Sequence, residues 1–307
     1  MKRAILTGGT GMLGLALIRL LIQKQIEVLV IIRPNSKRRK SIPDSPYVTV
    51  MECDLADLSR LKDKITNTYD AFFHFAWDGT YGEARNNMHL QNQNVRSTLD
   101  AVELAKATGC KTFLGAGSQA EYGRVDGVKL GPGTPVHPET GYGIGKLCAG
   151  QMSRILCQQL EIKHIWVRIL STYGPYDGQH TMVMSGIIKM LNRERPQYTK
   201  GEQMWDYLYC DDAARAFYLA AEQGKDGAVY CIGSGQIRPL SEYITIIRDT
   251  IDERIEIGFG EIPYYDKQVM YLCADIENLT ADTGFQPEIS FEEGIRRTVE
   301  WYRQQLS

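Results

Sequence analysis

Tyr142 and Lys146 stand four residues apart in the stretch Tyr142-Gly143-Ile144-Gly145-Lys146. On a helix that spacing puts both side chains on one face, with the ammonium beside the phenol. At about 5 Å and an effective dielectric near 20, a unit charge favours the phenolate by roughly 3 kcal/mol. The phenol is then drawn toward physiological pH, where it can serve as a general acid or base. Upstream, Gly115-Ala116-Gly117-Ser118-Gln119-Ala120-Glu121-Tyr122-Gly123 offers the Ser118 hydroxyl as a hydrogen-bonding group for a substrate oxygen. The plainer alternatives are an ordinary surface pair and a serine that merely ends a strand. A third group of residues opens the chain, Thr7-Gly8-Gly9-Thr10-Gly11-Met12-Leu13-Gly14. It lies between the apolar run Ala4-Ile5-Leu6 and a helical stretch from Leu15. Gly8 suits a tight turn, Gly11 a close backbone approach to a ligand, and Gly14 close packing of helix on strand. With Gly8, Thr10, Gly11, Met12 and Leu13 at the positive end of the helix dipole, this is a site for the pyrophosphate of a dinucleotide.

These residues need a scaffold that brings their turns to one edge. Glu27–Ile32, Tyr47–Glu52, Asp70–Ala76, Thr112–Ala116 and Ile162–Ile169 read as apolar strands. Helical patterns cover Asn87–Thr108 and Tyr142–Leu160, and the Pro- and Gly-punctuated Gly131–Pro138 is a loop. The alternation predicts an α/β chain, a Rossmann-type doubly wound parallel sheet. Residues 1–171 form the dinucleotide domain on this reading. Residues 172–307 form mainly a smaller substrate lobe, with segments about 205–235 returning to the sheet through Val229–Ile232. Ser241 is expected to cap a helix to Asp252, and Phe291–Arg303 to close the chain as an amphipathic helix. The site is expected at the carboxyl ends of the strands, under the smaller lobe.

Composition narrows the classes further. The chain has 307 residues and a formal net charge of −2, so no global field favours nucleic acid or a membrane surface. Its 7 cysteines are scattered without a Cys-x-x-Cys pair, and its 5 histidines are equally dispersed. That excludes a disulfide framework and a zinc site and predicts reduced thiols and no metal. The longest apolar region, Met12 to Ile32, is broken by Arg19, Gln23, Lys24, Gln25 and Glu27. It is neither a membrane span nor a signal peptide, and a cytoplasmic protein is expected.

Over nearly its whole length the chain resembles the extended short-chain dehydrogenase/reductase family, in its nucleotide-sugar epimerase, dehydratase and reductase branch. The resemblance is carried by the glycine turn, Ser118 and the Tyr142/Lys146 pair. It extends to Val167-Arg168-Ile169-Leu170-Ser171-Thr172-Tyr173-Gly174-Pro175, to Trp205-Asp206-Tyr207 running on to Asp212, and to Thr283-Gly284-Phe285-Gln286-Pro287. It implies that Ser118, Tyr142 and Lys146 are catalytic, with Lys146 also holding the nicotinamide ribose. It further implies that Asp54, next to Leu55, approaches the adenine, that Ala76 lines the cofactor channel, and that Asn94 supports the active-site helix. It implies a homodimer through the two long helices.

Three departures from the family pattern narrow the activity. Gln119-Ala120 stands where sugar dehydratases carry an Asp-Glu pair, so neither side chain can drive water elimination. Arg33 ends the second strand where an acidic residue would hold the ribose diol, and Ser36, Lys37, Arg38 and Arg39 follow. A cation accepts a 2′-phosphate that a carboxylate repels, which favours NADP over NAD. Trp205 replaces the arginine that often pairs with a substrate diphosphate, and Ser171 replaces a frequent asparagine. Lys189, Arg193, Arg195, Lys200 and Arg238 are candidates to compensate, while Trp77, Gln119, Ser171, Trp205 and Arg238 are expected substrate contacts. The expected activity is NADPH-dependent reduction of a keto group on a nucleotide-activated (deoxy)sugar. The alternatives are an NAD-dependent nucleotide-sugar 4-epimerase, a non-catalytic dinucleotide sensor, and a reductase of a non-nucleotide carbonyl compound.

Overall fold

A computed structural model describes residues 1–266 and 268–306. Seven strands form one wholly parallel sheet. They are β1 (Arg3–Thr7), β2 (Glu27–Ile32), β3 (Val48–Glu52), β4 (Ala71–His74), β5 (Thr112–Ser118), β6 (Lys163–Ile169) and, later in the chain, β10 (Ala228–Ile232). Their order is β10-β6-β5-β4-β1-β2-β3, so the winding reverses between β1 and β4. Parallel strands need crossovers, and helices then cover both faces. That is why Ala4, Ile5 and Leu6 form an unbroken apolar run: all three have 0% exposure.

One face carries α1 (Met12–Gln23) and α5 (Cys210–Gln223), packed together; the other carries α2 (Met88–Ala107) and α3 (Gly141–Gln159). The expected elements do not include α5. Its inner positions are mostly alanine (Ala213, Ala214, Ala216, Ala220 and Ala221), which gives a weak apolar period.

After β6 the chain builds smaller pieces: β7 (Ser171–Tyr173), α4 (Met182–Leu191), β8 (Met204–Trp205) and β9 (Tyr207–Tyr209). Beyond α5 and β10 come β11 (Arg238–Pro239), α6 (Leu240–Ile251), β12 (Tyr271–Leu272), α7 (Glu277–Thr283) and α8 (Phe291–Leu306). A three-stranded sheet β11-β8-β12 and a pair β7-β9 hold this part together. Among the boundaries that differ from expectation, two have a clear cause. β5 runs two residues further, to Ser118, because it stays paired with β6 up to Ile169. Helix α6 is preceded by Pro239, not capped by Ser241; the ring fixes φ at −57° and needs no amide hydrogen there.

Candidate active site

The glycine turn closes as its residue types dictate. Gly8 has φ +79°, and a Cβ there would lie 2.7 Å from the Ala76 amide, so only glycine lets β1 and β4 converge. A Cβ on Gly14 would strike the Gly8 carbonyl, so α1 sits tight on the turn. Gly11 precedes the helix with no capping side chain, and the first turn of α1 (Met12, Leu13, Gly14) holds no acid. Its amides and dipole are thus left to attract an anion.

In front of this turn opens a cleft of about 400 Å³ at the β1/β4 reversal. Gly8, Thr10, Gly11, Arg33, Asp54, Leu55 and Ala76, all expected cofactor contacts, line it together with Trp77 and Asp78. These residues fit a dinucleotide: a glycine cradle for the pyrophosphate and one cation at the end of β2. Arg33 is exposed and, among the described residues, is the only cation of that lining. Two of its basic neighbours are engaged elsewhere: Arg38 donates to the Tyr176 carbonyl at 3.1 Å and Arg39 pairs with Glu52. Ser36 lies outside the lining, in the turn where its carbonyl accepts the Arg39 amide.

A buried relay fixes the back of the cleft. The Ala76 amide donates to Thr7 Oγ1 at 3.3 Å, and Thr7 Oγ1 lies 2.9 Å from His74 Nδ1. His74 Nε2 lies 3.3 Å from Thr98 Oγ1, which donates to the Asn94 carbonyl at 2.9 Å. Burial holds the His74 pKa down at about 3, with the Lys146 charge acting the same way, so the ring is neutral. Because Thr98 spends its proton on Asn94, the neutral ring donates from Nε2 and accepts from Thr7 at Nδ1. Asn94, expected to support the active-site helix, is engaged with the loop after β4. Its amide accepts from Asp78 N at 3.0 Å and donates to Asp78 O at 2.8 Å, so it anchors the loop after β4 and lies outside the cleft lining.

Ser118, Tyr142 and Lys146 come together at the ends of β5 and α3, all buried. Thr140 caps α3 by accepting the Gly143 amide, and the Ser118 hydroxyl lies within hydrogen-bonding reach of Tyr142. Ser118 also opens a 3-10 turn, accepting the Ala120 amide at 3.2 Å, while Glu121 Oε1 accepts the Ser118 amide at 2.8 Å. The reciprocal pair is a capping box, visible in the sequence as Ser118-x-x-Glu121 but absent from the expected site. Glu121, with 0% exposure, also accepts from Trp166 Nε1 at 2.9 Å and from Arg168 Nε at 2.7 Å.

The electrostatics differ from the simple pairing of Tyr142 with Lys146. Lys146 Nζ donates to the Ala116 carbonyl at 2.6 Å and lies 3.9 Å above the Trp77 ring, but 5.9 Å from the Tyr142 ring. Burial lowers its own pKa to about 7, against the pull of Glu121. Burial likewise holds the Tyr142 phenol above its ordinary value; the Ser118 hydrogen bond and Arg85 oppose that rise. For both groups burial is the largest influence on ionisation in this arrangement.

The expected substrate contacts divide. Trp77 meets Tyr142 edge to face at 6.2 Å, and its indole nitrogen donates to Gln91 Oε1 at 2.8 Å. Gln119 lies in the Ser118 turn. Trp205 donates to Ser171 Oγ at 2.8 Å, so these two replaced positions hold each other. Arg238 pairs with Glu292 at 2.6 Å and lines a separate cavity of about 250 Å³ with Tyr207 and Phe291. Arg193 and Arg195 line a third cavity with Asp252 and Arg254, so these cations do not supply the cleft with charge.

Residues 4–233 match the model of a family described as the NAD dependent epimerase/dehydratase family. The chain is 24% identical to a dTDP-glucose 4,6-dehydratase of Neisseria gonorrhoeae, over 98% of this chain and 95% of that one. Among solved structures, a UDP-glucose 4-epimerase of Thermotoga maritima with UDP-glucose superposes with a TM-score of 0.87 at 24% identity. That match covers 99% of this chain and all of the other (100%). RMD from Pseudomonas aeruginosa complexed with NADPH superposes with a TM-score of 0.82 at 21% identity, covering 99% and 100% of the two chains.

Proposed function

The chain belongs to the NAD dependent epimerase/dehydratase family, enzymes of the extended short-chain dehydrogenase/reductase type, and from that premise we propose that it is an NADPH-dependent reductase of a keto group on a nucleotide-activated sugar. The observation that carries the cofactor choice is Arg33, among the described residues the one cation lining the dinucleotide cleft, with no acid paired to it there. A guanidinium binds a 2′-phosphate through charge-assisted hydrogen bonds, and no carboxylate stands at the end of β2 to repel it.

When bound, the dinucleotide supplies a hydride at its nicotinamide. Tyr142 gives its phenolic proton to the carbonyl oxygen as that oxygen gains charge, and Ser118 Oγ orients the same oxygen. Lys146 reaches the ribose side from its place on the same helix face. Dehydration is disfavoured by the turn after Ser118. Gln119 and Ala120 carry no carboxyl group, and Glu121 is buried with its oxygens committed to Ser118, Trp166 and Arg168. The protein is further proposed to act in the cytoplasm as a homodimer packed through α2 and α3, where α3 exposes Ile144, Met152 and Ile155. In this reading residues 172–307 mainly hold the nucleotide sugar.

Tyr142→Phe is expected to lower turnover by at least about 10²-fold while dinucleotide affinity stays near wild type. Turnover close to wild type would sink the mechanism. The relatives named epimerases favour a second reading, an NAD-dependent 4-epimerase. Cofactor released on denaturing the purified protein separates the two: tightly held NAD supports the epimerase, and NADPH oxidation with a nucleotide-linked 4-keto sugar supports the reductase.

A further inference from the structure

Trp77, in the loop that follows β4, is seated between the two long helices. Its indole packs against the cluster of Val95 from α2, Ala149 from α3 and Trp166 from β6. Nε1 donates to Gln91 Oε1 at 2.8 Å, and Gln91 Nε2 in turn donates to the Gly79 and Ala84 carbonyls at 3.1 and 2.9 Å. Gly145 leaves room for the ring, since a Cβ there would press on Trp77 Cζ2 at 3.3 Å. The indole is thus held at its nitrogen edge and at its far end. Its face lies under Lys146, whose ammonium is 3.9 Å from the ring centre. The distance to the ring centre is the relevant one for a π face, and it falls well inside the range of about 6 Å over which the ring quadrupole attracts a cation.

We propose that Trp77 keeps Lys146 charged: its ring face holds the ammonium in a dry site where the charge would otherwise be lost. This rests on the reading of Lys146 as the charged partner of Tyr142. Trp77 acts through Lys146 and is a positioning residue. An ammonium has three donors to place. One goes to the Ala116 carbonyl of β5 at 2.6 Å, which orients the group but would also accept from a neutral amine. The other groups around Lys146 do not take the place of the ring. His74, from β4, is neutral. Glu121, from the turn after β5, favours the charge but is bound to Arg168. Tyr142, on the same helix, has its ring centre 5.9 Å away. Gln91, from α2, is engaged with the Trp77 edge. Burial draws the Lys146 pKa to about 7, so a modest contact decides its charge at neutral pH. Out of water, such a contact is stronger than at an exposed site.

The test labels the lysines with ¹³C at Cε, whose chemical shift follows ionisation of the amine. The Lys146 resonance is the one lost in Lys146→Met. Its titration midpoint is expected to fall by about one pH unit in Trp77→Leu, which fills the seat without a π face. Trp77→Phe, which keeps a smaller face, is expected to recover part of that fall. Incorporation of 5-fluorotryptophan leaves the volume nearly unchanged and draws electrons from the ring face. It is expected to lower the midpoint by roughly 0.3 of a pH unit, and it keeps the test decisive should Trp77→Leu fail to fold. A midpoint that stays or rises in Trp77→Leu, a Trp77→Phe midpoint no higher than that of Trp77→Leu, or no response to fluorination overturns the proposal. The titration needs no turnover. A fully active Lys146→Met would therefore refute the reading of Lys146, while an unmoved midpoint would refute the Trp77 role alone.

Discussion

Arg33 stands where β2 leaves the sheet, and two other cations of the basic loop are drawn off by Tyr176 and Glu52. A single guanidinium therefore carries the proposed discrimination between the two dinucleotides. Arg33→Ala is expected to weaken NADP about tenfold, the worth of one charge-assisted hydrogen bond, and to leave NAD nearly unchanged. Calorimetric titration of both cofactors checks it; an equal loss for both would mean that Arg33 only packs against the adenine. At the same scale, the pair of Tyr142 and Lys146 shows what spacing leaves open. Four residues on a helix bring two side chains to one face, but the Ala116 carbonyl and the Trp77 ring compete for the Lys146 ammonium. Which acceptor wins depends on what other strands deliver.

At the scale of elements, the turn after β5 is held by a buried ion pair between Glu121 and Arg168, which is 4% exposed. The capping box sets the backbone of Ser118, and Arg168 reaches it from β6, the strand paired with β5 at Gly117. Removing one partner leaves a buried charge uncompensated. Glu121→Ala is expected to destabilise the fold by about 3–5 kcal/mol, measured by urea unfolding. A loss below about 1 kcal/mol would show that water or another acid reaches Arg168. The strands and long helices were legible because burial on both faces writes continuous apolar runs and helical periods. The two-residue strands β8, β11 and β12 were not, since so short a run has no period of its own, and α5 was hidden by its alanines.

For the whole molecule, two histidines are buried and neutral, His74 with a pKa held down to about 3 and His164 to about 4, both chiefly by burial. Their unfolded value is 6.5, so between pH 6.5 and those folded values the unfolded chain binds protons that the native one refuses. Stability from this source is complete above 6.5 and falls as the pH drops, by up to about 1.4 kcal/mol per pH unit for each group. Unfolding midpoints from pH 7 to 5 should decline accordingly, and His164→Asn should flatten the decline. An identical slope in that variant would show that His164 contributes nothing to the acid sensitivity. The molecule also sets which cleft matters. Arg193, Arg195 and Arg238 all lie in the later part of the chain, yet they open onto cavities other than the glycine-lined one.

By itself the sequence determined the doubly wound sheet, the glycine turn and the shared helix face of Tyr142 and Lys146. Each is written in short-range terms: apolar runs, a turn that tolerates no side chain, and one helical repeat. Only the tertiary structure decided which charges act on them. Glu121 meets Arg168 across 47 positions of chain, and Asn94 reaches back 16 to hold Asp78. Arg85 comes to lie over a ring carried by a separate helix. Electrostatic influence falls with distance through space and with access of water, and neither is a property of neighbouring positions in a chain.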